Sequence, residues 1–252
     1  MNPAFELPEY QHRLRKVRSA MSDKDLDALI IGDPANMNWL TGFDAWSFYV
    51  PQVMLILHDH PPVWLGRQMD AGSVSLTTHL GSESVRPYAE DLVQRDGVHP
   101  MDAIGDSLAE FQLEGKRIGF ESDTYFFSFK AVERLQAKLS NAIWVDADLL
   151  VNWCRAVKSD LEIEAMRGAA RIASHVMTLA CEHIAPGVRQ CDLVAKVLAA
   201  QVSGVDGLGG DTTALCPLIL AGEAAATAHP MWTDASFERD QTVALELGGA
   251  CR

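Results

Sequence analysis

Between Tyr10 and Leu139, amphipathic helical stretches alternate with short apolar runs of strand character, and this alternation confines the first part of the chain to an α/β arrangement. Leu14, Val17 and Met21 recur at helical spacing with basic residues between them, so residues 10–21 read as an amphipathic helix. Residues 26–32 follow as a strand ending in a turn at Asp33-Pro34, and residues 36–42 as a short helix stopped by glycine. Residues 52–57 and 62–65 read as two strands of a hairpin around the polar turn His58-Asp59-His60. Further on, a helix over 101–111, a strand over 117–120 and a helix over 129–139 complete the pattern, and the first domain is placed at residues 1–151.

The second domain, residues 152–252, opens with a long helix over 160–184 that carries Ile163, Met166, Ala170, Ala173, Met177 and Cys181 on one face and stops at Pro186-Gly187. Ser159 caps its first turn, with Glu162 three residues on as in a capping box, and Glu162 and Glu164 suit the positive end of the helix dipole. A second helix is expected over 191–201, then strands over 214–220 and 242–247 joined by a loop through His229-Pro230. The glycine-rich residues 204–210 contain Gly-Leu-Gly-Gly but match neither GxGxxG nor GxxxxGK[ST], so they read as a flexible connection rather than a phosphate cradle.

A hydrophobic fraction of 48% with 22% charged residues provides for a packed core. The formal net charge of -13 repels phosphate backbones and anionic headgroups, which argues against nucleic-acid and membrane-surface partners and favours small cationic or zwitterionic ones. Residues 1–21 place acids and bases ahead of any apolar run, unlike a signal peptide, and no stretch reaches the roughly 18 apolar residues of a membrane span. A cytoplasmic protein is expected. Cys154, Cys181, Cys191, Cys216 and Cys251 are odd in number, scattered and without a CxxC pair, so they read as small buried hydrophobes rather than a disulfide framework or a zinc site.

The run Arg155-Ala156-Val157-Lys158-Ser159-Asp160-Leu161-Glu162-Ile163-Glu164-Ala165-Met166-Arg167 resembles the opening helix of the pita-bread hydrolases, the family of creatinase, Xaa-Pro aminopeptidases and prolidases. Ala185-Pro186-Gly187-Val188 resembles the family's helix-ending turn, and residues 219–230, ending in Ala228-His229-Pro230, resemble its strand and loop with the first active-site histidine. In the first domain, Asp25-Leu26-Asp27-Ala28-Leu29, residues 34–42 and Trp64-Leu65-Gly66-Arg67 resemble the creatinase-type N-terminal domain. The likeness thus implies an α/β chain in which a creatinase-type N-terminal α/β domain is followed by the first part of a pita-bread α+β catalytic domain. It also implies a homodimer in which the N-terminal domain of one protomer leans over the catalytic domain of the other.

Metallopeptidase members carry a metal-ligating aspartate in the strand that here reads Val243-Ala244-Leu245-Glu246-Leu247-Gly248-Gly249, and the position holds Glu246. The extra methylene moves the carboxylate by roughly 1.5 Å, enough to disturb a site built on two ions about 3.5–4 Å apart. The expectation is therefore no cofactor and no metal. Among metal-free members, residues 64–70, the aromatic run Trp46-Ser47-Phe48-Tyr49 and Glu246-Leu247-Gly248-Gly249 are most similar to the ectoine hydrolases, which open a cyclic amidine to N-acetyl-2,4-diaminobutyrate. That resemblance implies ectoine or hydroxyectoine as the small-molecule substrate.

Opening an amidinium ring needs a nucleophile at the amidine carbon, a carboxylate for the cation and a proton for the departing nitrogen. Glu246 can pair with the cation and either attack it or activate water, and His229 can shuttle the proton. Trp46, Phe48 and Tyr49, with Trp39 and Phe43 nearby in sequence, can stack on a planar cation, and Arg67 can hold a carboxylate in a bidentate pair. Each has a plainer reading: Glu246 as an outward residue of an alternating strand, His229 as a solvated loop histidine, the aromatics as core, Arg67 as a surface ion pair. His58 and His60 have the i, i+2 spacing of a chelating pair, but an exposed polar turn accounts for them more simply. A metal-dependent Xaa-Pro peptidase and a catalytically inactive binding or dimerisation module stay open as alternatives. Because the family's later catalytic residues would fall beyond Arg252, a truncated chain with little turnover is expected, its last strand over 243–251 left as an unpaired apolar edge.

Overall fold

The computed structural model describes residues 3–47 and 49–251, which form two compact units, Met1–Val157 and Lys158–Arg252. The first unit is built on a six-stranded sheet whose strands are β1 (Ala28–Ile31), β2 (Val53–Leu57), β3 (Val63–Arg67), β4 (Val85–Tyr88), β5 (Arg117–Phe120) and β6 (Ile143–Asp146), in the order β4-β3-β2-β1-β5-β6. β1, β5 and β6 run parallel, β1–β2 and β2–β3 are antiparallel, and β3–β4 is parallel again.

β1 is apolar at every position because both of its faces are covered. Leu29 and Ile31 point into a core shared with α1 (Leu7–Asp23), α2 (Pro34–Thr41), α3 (Ala71–Thr77) and α6 (Leu150–Ala156), through Val17, Met21, Met37, Leu40, Val74, Leu150 and Val151. Ala28 and Ile30 point the other way, into a core with α4 (Pro100–Ala109) and α5 (Phe129–Lys138), through Met101, Ile104, Leu108, Ala131 and Leu135. The expected hairpin is present, with Leu55 opposite Val63. β4, β6, α3 and α6 have no counterpart in the sequence reading. β4 and β6 are edge strands of four residues, and β4 carries Pro87, a residue that marks edges rather than central strands.

The second unit packs α7 (Asp160–His183) against α8 (Gln190–Ser203) and a two-stranded antiparallel ribbon of β7 (Leu218–Ala221) and β8 (Val243–Glu246). The capping box forms as expected: Ser159 Oγ accepts from the Glu162 amide at 3.3 Å, and Glu162 Oε2 accepts from the Ser159 amide at 2.7 Å. The buried stripe of α7 differs from the expected one. It is Gly168, Ile172, Val176 and Ala180, while Ile163, Met166 and Cys181 are exposed. Ile172, Val176 and Ala180 pack in one core with Leu193, Val194 and Val197 of α8, and Gly168 faces Leu208 and Cys251.

Two further expectations are corrected. The last strand is not an unpaired edge: Val243 pairs with Ala221 and Glu246 with Leu218, and beyond the strand the Asp211 amide donates to the Ala250 carbonyl and Gly210 bridges to Cys251. Residues 204–210 are not a loose connection. They fold back at the end of α8, with Val205 and Leu208 exchanging backbone hydrogen bonds, and a Cβ on Gly210 would lie 1.7 Å from the Gln201 carbonyl oxygen. No helix among the described residues is long and apolar enough to cross a membrane.

The crowding at Gly210 is testable against its neighbour Gly209, where an added Cβ would meet nothing within 4 Å. Gly210→Ala is expected to lower stability by about 1–3 kcal/mol or more, and Gly209→Ala to stay within about 0.5 kcal/mol of the parent. Urea denaturation followed by circular dichroism measures both, and equal midpoints would refute the tight-turn account.

Candidate functional site

In the second unit the β7–β8 ribbon sets the position of Glu246, the last residue of β8, opposite Leu218. The loop between the strands passes through a 3-10 turn, Gly222–Ala226, which Thr227 closes by donating Oγ1 to the Ala224 carbonyl at 2.8 Å. His229 follows with a φ of 64°, in the left-handed region that non-glycine residues enter infrequently. Its Nε2 comes to 3.8 Å from Glu246 Oε2. That is longer than a hydrogen bond, and the contact is an ion pair only when the imidazole is protonated. Both side chains are open to water, 73% exposed for His229 and 52% for Glu246, so a small molecule can reach either. The arrangement brings a carboxylate and an imidazole together, with no other side-chain partner for either among the described residues, a pairing able to attract a cation and move a proton.

The donors at this point number two. Among the described residues no group of three or more His, Cys, Asp and Glu side chains is arranged to hold a metal ion. A two-ion centre needs several carboxylate and imidazole ligands around both metals, more than His229 and Glu246 supply.

In the first unit Arg67, Tyr49 and Trp46 form a second cluster at one end of the sheet. Arg67, closing β3, donates Nε to Glu90 Oε2 at 2.6 Å and Nη1 to the Tyr49 hydroxyl at 3.3 Å. The other oxygen of Glu90 accepts from the Met69 amide at 2.8 Å, so one carboxylate holds both the guanidinium and the turn after β3. The hydrogen bond to Arg67 pulls the Glu90 carboxyl below the ordinary carboxylate range, and the same bond raises the Arg67 guanidinium. Trp46 and Tyr49 lie with ring centroids 5.9 Å apart at 47°, and both are exposed. Phe48 lies outside the described residues. Trp39 and Phe43, by contrast, belong to the core, where the Arg13 guanidinium lies 5.3 Å from the Trp39 ring centroid. His58 and His60 do not act as a pair: His58 bonds to the Leu26 carbonyl, while His60 packs edge-on to Phe111.

Glu121 escaped the sequence reading. It follows β5 directly and is 1% exposed. A charged residue immediately after a short apolar strand was the available signal. Asn36 Nδ2 donates to Glu121 Oε1 at 2.5 Å and to Asn152 Oδ1 at 2.8 Å, and Asn36 Oδ1 accepts from Arg155 Nη1 at 2.6 Å. One side-chain amide therefore ties α2, the end of β5 and α6 together. Desolvation raises the Glu121 carboxyl from 4.5 to about 7, against the lowering effect of the Asn36 hydrogen bond. A carboxyl raised on folding contributes its stability fully below the unfolded value and loses it as pH climbs through the folded one. Glu121→Gln is accordingly expected to match the parent near pH 4.5 and to exceed it by up to about 3 kcal/mol at pH 8. Denaturation followed by tryptophan fluorescence reads this unit, which holds every tryptophan except Trp232. Parallel pH slopes for parent and variant would refute the titration.

Residues 13–157 match the Creatinase/Prolidase N-terminal domain, and residues 164–252 match metallopeptidase family M24. An uncharacterised hydrolase/peptidase of Sinorhizobium fredii is 39% identical over 249 residues, covering 98% of this chain and 63% of that protein. The ectoine hydrolase of Halomonas elongata is 38% identical over 252 residues, covering 97% and 63%. The chain thus spans 63% of the length of these two relatives. Among solved structures, a prolidase from Thermococcus sibiricus superposes with a TM-score of 0.77 at 15% identity, covering 96% of this chain and 62% of that one. The prolidase of Pyrococcus horikoshii gives 0.70 at 20%, covering 92% and 59%. At such identities the structures speak for the fold, which is the expected creatinase-type α/β domain followed by the opening of a pita-bread domain.

Proposed function

Because this chain belongs to the creatinase/prolidase family and continues into an M24 domain, we propose that it serves as a hydrolase that opens the cyclic amidine of ectoine to N-acetyl-2,4-diaminobutyrate, without a metal and as a homodimer. The observation that carries this reading is the solvent-open approach of His229 to Glu246, in a chain similar along most of its length to an ectoine hydrolase. A carboxylate not bound to a metal is free to meet an amidinium, and an imidazole beside it can handle the proton that ring opening requires.

The balance of the reaction assigns the tasks. One water oxygen bonds to the amidine carbon while the C=N electrons withdraw onto nitrogen. The bond from that carbon to one ring nitrogen then breaks, that nitrogen takes a proton, and the added oxygen remains as the acetamide carbonyl. Glu246 faces the cation and either deprotonates the water or attacks the carbon first, with water releasing the resulting ester. His229 delivers the proton to the departing nitrogen. Arg67 and the aromatics Trp46, Phe48 and Tyr49 are assigned to the substrate's carboxylate and planar ring. For Arg67 this means exchanging part of its bonding to Glu90 for the substrate.

Proton NMR of ectoine incubated with the chain, alone and joined to the C-terminal part of the Halomonas elongata relative, with and without EDTA, tests the proposal. An N-acetyl methyl resonance that grows in the presence of EDTA is expected, and Glu246→Gln and His229→Gln should each slow it by roughly 10²–10⁴-fold. No product from ectoine, with Xaa-Pro dipeptides cleaved only after manganese or cobalt is added, would assign the chain to the metal-dependent peptidases. A rise in melting temperature with ectoine and no product from either form would make it a binding module.

A further inference from the structure

The first unit holds a cavity of about 420 Å³ that the reading above does not use. It lies among α1, the last turn of α2, the turn between β2 and β3, and the segment after α3, and its size falls within the roughly 300–1,000 Å³ of small-molecule sites. Leu7, Leu14, Leu40 and Leu80 supply its apolar lining. His58 and His79 contribute to the polar lining. His58 Nε2 lies 2.8 Å from the Leu26 carbonyl oxygen and His79 Nε2 lies 3.1 Å from that of Phe5. A carbonyl can only accept, so each Nε2 carries the hydrogen and both imidazoles are anchored to the backbone at the cavity wall.

The Arg18 guanidinium is committed to the carbonyls of Leu57 and His60, which fastens the turn, and the nearby Asp59 carboxylate favours its charged form. Glu83 also lines the cavity, and among the described residues its carboxylate has no cationic partner. The lining therefore combines hydrocarbon with a carboxylate that has no cationic partner among the described residues. We propose that this cavity binds a small organic ammonium ion with an apolar body, the ammonium held by Glu83 and the hydrocarbon seated on the leucines. The site uses first-unit residues only and stands apart from the hydrolase reading.

Isothermal titration calorimetry of the whole chain with hexylamine, hexanol and hexanoate at pH 7.5 tests it. Hexylamine is expected to bind at one site, at least tenfold more tightly than the other two. Glu83→Gln should weaken it about fivefold, the worth of a solvent-exposed ion pair. Gln11→Trp, at an exposed α1 position on the cavity rim, should abolish binding by filling the space while melting as the parent does. Hexylamine that binds no more tightly than hexanoate, that binds Gln11→Trp as well as the parent, or that is indifferent to Glu83→Gln overturns the proposal.

Discussion

Everything in the first unit hangs on the burial of β1. Four consecutive residues, Ala28 to Ile31, are removed from water on both faces, and alternate side chains enter opposite cores. Burying a leucine or isoleucine side chain contributes roughly 1.5–3 kcal/mol, so this short strand is a main apolar anchor of the sheet. It is also where the strand directions change, antiparallel to β2 on one side and parallel to β5 on the other. Beside the carboxyl ends of β1 and β5 lie Asp33, Asn36 and Glu121, joined in one buried network. That network orders α2 and α6 against the sheet at the cost of a desolvated carboxyl.

The second unit is governed by closeness rather than by bulk. Gly210 after α8 stands where a side chain would collide with the Gln201 carbonyl, Gly168 on α7 lies close against Leu208 and Cys251, and Gln201 reaches from α8 to the Gly248 carbonyl at 2.9 Å. These contacts hold the segment after β8 against the helices and, with the β7 pairing, define where Glu246 stands. His229 reaches it from a loop closed by short-range hydrogen bonds, in a backbone conformation that costs some strain. An exposed pair of this kind adds little to stability. Its proximity is a statement about chemistry more than about folding.

Much of this was legible beforehand. The alternation of helix and strand, the hairpin at His58-Asp59-His60 and the Ser159–Glu162 capping box were all readable, and so was the family resemblance. What was missed shares a cause. β4 and β6 are short edge strands, β4 interrupted by Pro87, and their propensities are too weak to stand out without the neighbours that complete them. The apolar spacing along α7 fits more than one face, and packing buries Gly168, Ile172, Val176 and Ala180 rather than the face through Ile163 and Met166. Of the aromatic group, Trp39 and Phe43 went to the core and Trp46 and Tyr49 to the surface, a division that residue type alone cannot make.

By itself, then, the sequence determined what depends on neighbours a few residues away: helix starts and stops, the alternating pattern, the turn residues, and the motifs by which the family is known. Tertiary structure alone decided that Arg67 meets Glu90, that His229 approaches Glu246, that Glu121 is buried beneath Asn36, and that β8 finds a partner in β7. The physical reason is range. A cap or a turn is closed by bonds within one or two helical turns. An ion pair, a desolvated carboxyl or a strand pairing is set by segments far apart in the chain, whose meeting follows from how the cores pack.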